Sequence, residues 1–129
     1  MALYEETITA DLDELVPYIK RSLADQSTTF HLEEETEYTV DGVRVKVLCC
    51  ERYAYSGSGR VAMTVTLVEN SGSVRVIGTA AGGSSAMFFK INDWSDNNFL
   101  DTLVWAVKWF VRDHSPAVDE ADPQQAPEG

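Results

Sequence analysis

Glu34 and Glu51 fall on the two arms of a hairpin centred on Asp41-Gly42. With a two-residue turn, residues whose numbers sum to 83 face each other, which sets Glu34 opposite Cys49 and Glu51 opposite Leu32. The two carboxylates are then diagonal neighbours, about 7–8 Å apart at the backbone, on the apolar side of the hairpin. On a core-facing surface such a pair raises one another's pKa and can divide acid and base roles. The competing reading is a wet position on a curved hairpin, or a bulge that flips the phase. A second constellation is the stretch from Glu51 to Arg60, where Arg52, Tyr53, Tyr55 and Arg60 surround a Ser-Gly-Ser-Gly turn. Guanidinium forks bind carboxylate or phosphate and phenols add rigid contact area, which suits a small anionic ligand. Plain cross-strand pairing and aromatic packing compete with that reading. A third is Gly82-Gly83-Ser84-Ser85, whose consecutive N–H groups can cradle an anion. No Lys follows the last Gly, so it is no Walker loop, and the spacing does not fit a nucleophile elbow. A fourth is the pair Trp105 and Trp109, four residues apart on a helix whose outer face also carries Asp101, Lys108 and Arg112. Indoles among charges point to a contact surface, since Trp is enriched at interfaces. Cover by residues 86–93 or by the tail of the same chain competes.

Other chemistries are poorly supplied. His31 and His114 are the only histidines, so neither a His-based triad nor a histidine metal site is expected, and no cofactor. The run Glu33-Glu34-Glu35 lacks the spacing of a calcium loop and reads as a solvated strand edge. Cys49 and Cys50 are adjacent, point to opposite faces of a strand, and read as two buried, reduced thiols.

The elements that must carry these residues are legible from periodicity. Residues 3–10 read as a strand. Asp11 is a helix cap with Glu14 at capping-box spacing, and Leu12, Leu15, Val16, Ile19 and Leu23 make one apolar stripe, with Pro17 tolerable near the first turn. The Asp41-Gly42 hairpin follows, its register supported by Tyr38 opposite Val45, Thr36 opposite Val47 and Glu37 opposite Lys46. Two further strands cover residues 60–69, with Val61, Met63, Val65 and Leu67 inward, and 73–81. Residues 86–91 are apolar and fit either type. A last helix is expected over 97–113, capped by Ser95 or Asp96. The order β-α-β-β-β-β-α predicts an α+β two-layer sandwich: a twisted antiparallel sheet of five strands with both helices on one face.

The chain has 129 residues, enough for one domain without a disulfide or metal staple. The predicted domain is 1–113. Residues 114–129 form an acidic, Pro-rich tail, expected to be disordered. The net charge of −11 repels phosphate backbones and anionic lipid, so neither nucleic acid nor membrane is an expected partner. No secretory signal or membrane-length apolar run is visible, which predicts a cytoplasmic protein.

The combination Glu51-Arg52-Tyr53-Ala54-Tyr55-Ser56-Gly57, Arg60-Val61 and Gly82 through Asn92 resembles a family of short bacterial proteins catalogued as a domain of unknown function, across residues 4–113. The resemblance implies a bacterial cytosolic protein and no activity. The element order is also similar to one repeat of the TATA-box-binding-protein fold, an analogy that carries no function. The residues themselves favour a non-enzymatic small-ligand-binding or protein-assembly module, working as a homodimer with Trp105 and Trp109 at the contact. A ligand or protein partner would sit at Arg52, Tyr53, Tyr55, Arg60, Gly82, Gly83 and Ser84. The alternative is a small hydrolase or isomerase using Glu34 and Glu51.

Overall fold

Strong amphipathic periodicity resolves into seven elements in a computed structural model that describes residues 2–53, 59–82 and 90–114, with only the backbone of 82 and 90–98. They are β1 (Ala2–Thr9), α1 (Leu12–Gln26), β2 (His31–Val40), β3 (Val43–Tyr53), β4 (Arg60–Asn70), β5 (Ser73–Gly82) and α2 (Lys90–His114). All strand pairs are antiparallel, in the order β1-β5-β4-β3-β2. The expected α+β order holds. The tail expected after residue 113 lies outside the described residues, apart from His114.

The sheet reads as rows of paired residues, each row on one face. Glu35, Leu48, Val65, Gly78 and Tyr4 form one row. Leu32, Cys50, Met63, Ala80 and Ala2 form the next. These rows meet Leu12, Leu15, Ile19 and Leu23 of α1 and Phe99, Leu103, Ala106 and Phe110 of α2 in one apolar cluster. Both helices therefore cover the same face. Gly78 is the point of closest approach: a Cβ there would stand 2.4 Å from Leu103 Cδ2.

Local rules account for the ends of α1. Asp11 is its N-cap and accepts a hydrogen bond from Asp13 N at 2.9 Å. Leu12 N donates to Glu69 Oε2 at 3.0 Å, so the end of β4 satisfies a second free amide of the first turn. Pro17 lies inside the helix, in its second turn. The tight turns use left-handed backbone at Asp41-Gly42 and Ser71-Gly72, as two-residue hairpins require.

Two sequence expectations need correction. The last helix begins at Lys90, so Ser95 and Asp96 lie inside it rather than capping it. No Gly or Pro occurs between residues 90 and 114 to stop the helix earlier. Of the ambiguous segment 86–91, residues 90 and 91 are helical and the rest lie outside the described residues. Finally, Cys49 is only partly buried, whereas Cys50 is buried among core residues.

The polar edge of the covered face holds a charge network. Lys46 Nζ bridges Glu35 at 2.8 Å and Glu37 at 3.5 Å, and Lys20 Nζ reaches Glu35 at 2.9 Å. Arg44 binds Glu37 through Nε at 2.9 Å and Asp13 through Nη2 at 2.8 Å. Hydrogen bonds from Lys46 and then Lys20 hold the Glu35 carboxyl below its usual range, and those from Arg44 do the same for Asp13 and Glu37. A carboxyl with a depressed folded pKa binds fewer protons folded than unfolded. Its contribution is present above the ordinary carboxylate value of about 4.3 and is lost as pH falls through the lower folded value. Wild type should therefore exceed Glu35→Gln in thermal midpoint near neutral pH, and the gap should narrow toward about pH 3. A gap that stays constant across that range would show that the network does not hold Glu35 ionised.

Candidate functional site

The hairpin register is as expected from Val40–Val43 through Glu34–Cys49, and then shifts. A bulge between Leu32 and Glu34 pairs His31, not Leu32, with Glu51. The register also fixes which face the hairpin's apolar side occupies. Arg44, Lys46, Leu48, Cys50 and Arg52 are on the helix-covered face, so Val45, Val47, Cys49 and Glu51 lie on the other, open one. The expectation that Glu34 and Glu51 share a core-side face is corrected: they share the open face. The reason is that alternation reports which residues share a side but not which side the helices cover, and here the covered side is charged at its edge because α1 brings Asp13 to Arg44 and Lys20 to the Glu35 that Lys46 also binds.

At the end of the sheet nearest Tyr53 lies a cleft of about 310 Å³, lined by Thr29, His31, Glu33, Glu51, Arg52, Tyr53 and Arg60. The structure thus brings Arg52, Tyr53 and Arg60 together as the sequence suggested. Their side chains diverge by strand alternation, however. Arg52 is buried on the covered side, its guanidinium 4.7 Å from the centre of the Phe99 ring. Arg60 is on the open side, with Nη1 3.0 Å from Glu51 Oε1. That carboxylate oxygen is shielded from solvent and accepts no hydrogen bond of good geometry among the described residues. His31 Nε2 lies 3.3 Å from Glu33. Two guanidiniums and two carboxylates balance, so the cleft offers an anion no net positive field. Glu34 does not line it. Tyr55, Gly83 and Ser84 lie outside the described residues, and Gly82 is described only as the last residue of β5, paired with Val61.

On α2 the two indoles are neighbours, centroids 5.8 Å apart, with Lys108 Nζ 5.4 Å from the Trp105 ring. Trp105 is 50% exposed and Trp109 half-buried. They form a small aromatic ridge on the helix shoulder.

A larger feature escaped the sequence reading. The open face of the sheet has rows Tyr38-Val45-Val68-Arg75-Thr7, Thr36-Val47-Thr66-Ile77-Glu5 and Glu34-Cys49-Thr64-Thr79-Leu3. Apolar and threonine side chains fill the middle of this surface, and no described helix covers it. Among the described residues, four of the six exposed large apolar side chains stand on it: Leu3, Tyr38, Val40 and Tyr53. An antiparallel sheet with one wet face ordinarily alternates to polar residues there. The signal is present in the hairpin, whose two sides are apolar and charged, but alternation alone reads the apolar side as core.

Among the described residues no group of three His, Cys, Asp or Glu side chains is placed to hold a metal ion, and no helix is long and apolar enough to cross a membrane. None of the curated proteins compared with the chain matches it. Residues 1–111 match the model of DUF6054, described as a family of unknown function, and the chain belongs to that family.

Proposed function

We propose that this chain is a non-enzymatic protein-assembly module that works through the open face of its sheet. The observation that carries the reading is the apolar surface that runs across that face through Val45, Val47, Val68 and Ile77 and is continued on its two edge strands by Leu3 at 62%, Val40 at 60% and Tyr38 at 58% exposure. A contiguous apolar surface of this kind on a folded domain marks an interaction site. The small-ligand reading at Arg52, Tyr53 and Arg60 has less support, because the charges in that cleft already balance. The hydrolase or isomerase reading needs Glu34 and Glu51 to face one substrate, and only Glu51 lines the cleft.

The test is gel filtration of clarified lysate from the producing cells, followed by detection of the chain. Wild type should elute well above the 14.3 kDa of one chain. The double variant Val47→Lys/Thr66→Lys, which puts two ammonium groups in the centre of the open face, should elute at the single-chain position. If wild type and variant co-elute, the face is not the assembly surface.

A further inference from the structure

We infer that the occupant of the open sheet face is a second copy of this chain, the two sheets packing face to face as a two-fold dimer. The inference rests on the assembly reading above and adds the identity of the partner. Three observations argue for it. The first is size. Five strands at about 4.8 Å spacing and about ten residues at 3.4 Å rise make a face of roughly 800 Å², the area each partner of a standard stable interface contributes. The second is charge. By register the open face holds three carboxylates (Glu5, Glu34 and Glu51) and two guanidiniums (Arg60 and Arg75), and Glu33 joins them beside His31, two net negative charges where the whole chain carries −11. Four of these six are already paired within one copy, Arg75 with Glu5 at 2.8 Å and Arg60 with Glu51 at 3.0 Å. Two copies therefore meet here without the repulsion that the rest of their surfaces would impose. The third is the poverty of the C-terminal segment as an alternative occupant. Residues 115–129 contain four acidic residues, three prolines and one large apolar residue, Val118, which is too little apolar surface to cover five strands.

In such a pairing the sheets sit about 10 Å apart with strands within about 30° of parallel, and Val45, Val47, Val68 and Ile77 of each copy interdigitate across the middle. A two-fold interface is self-complementary, so the same patch serves both copies. The Trp105–Trp109 ridge stays outside this contact, on the opposite layer.

Sedimentation velocity on the purified full chain tests the proposal. Wild type should run at twice 14.3 kDa, Val47→Lys/Thr66→Lys at the single mass, and Trp105→Gln/Trp109→Gln at the double mass. A single mass for wild type up to roughly 100 μM overturns the proposal, as does a dimer that survives the lysines or dissociates with the tryptophan changes. Wild type that is single when pure but large in lysate removes the second copy and leaves the assembly reading standing. Should the lysine variant fail to fold by circular dichroism, alkylation of Cys49 in wild type decides. Its rate should fall as protein concentration rises, and a concentration-independent rate overturns the proposal. Cys50 does not interfere, since burial pushes its thiol up to about 12.

Discussion

Phe99→Ala should cost about 3–5 kcal/mol of folding stability and lower the thermal midpoint by roughly 10–20 °C. Phe99 is fully buried and is among the largest side chains of the core. Truncation removes its transfer free energy and leaves a cavity beneath α2 that a sheet and two helices cannot collapse to fill. The ring also lies 4.7 Å from the guanidinium carbon of Arg52, which is itself 5% exposed. A buried cation that loses an aromatic face loses a further contribution of about 0.5–2 kcal/mol. Phe99→Leu keeps most of the apolar volume and should recover most of the loss. Urea unfolding monitored by circular dichroism gives both values. A loss below about 1 kcal/mol for the alanine variant would mean that residue 99 is not the keystone between α2 and the sheet.

That keystone was partly visible in the sequence. Phe99, Leu103, Val107 and Phe110 recur at helical spacing, and their stripe alone is enough to orient α2. Strand existence was equally legible. Asp41-Gly42 and Ser71-Gly72 supply the positive φ that two-residue turns need, and alternation on either side of Asp41-Gly42 gives the register of that hairpin as far as Glu34. The face was harder. In β3 the valines at 43, 45 and 47 look like a core side and Arg44 and Lys46 like a wet one, and the structure reverses them. Periodicity is symmetric between the two faces of a sheet. What breaks the symmetry is α1, which brings Asp13 to Arg44 and packs Lys20 beside the Glu35 that Lys46 also binds. Those are contacts across 15 to 31 residues of chain, which a local pattern cannot report. The position of the bulge is hidden for a related reason: one extra residue beside the run Glu33-Glu34-Glu35 leaves no compositional mark. Among the candidate ligand residues, strand alternation sends Arg52 under Phe99 and Arg60 to the open face, although both line one cleft.

The contact between Gly78 and Leu103 makes the layer packing testable at a single atom. Leu103→Ala should cost about 2–5 kcal/mol, because the leucine is fully buried over the sheet. Gly78→Ala should cost about 1–3 kcal/mol, because its new methyl would sit 2.4 Å from Leu103 Cδ2 and 3.0 Å from Leu100 Cδ1. Both opposing atoms are ends of leucine side chains, which can give way in part, so the cost stays at the scale of overpacking. Backbone conformation is not what excludes alanine here, since Gly78 is not among the residues with positive φ. In isolation a strand prefers Ala over Gly by roughly 0.5–1 kcal/mol, and that preference is masked by the clash. The double variant Gly78→Ala/Leu103→Ala should therefore be less destabilised than the sum of the singles, by about 0.5–3 kcal/mol, as the alanine methyl enters the space the leucine vacates. Strictly additive losses in urea unfolding would mean that α2 does not rest on β5 at this point. They would also remove the reason for reading the opposite, uncovered face of the sheet as the surface left for a partner.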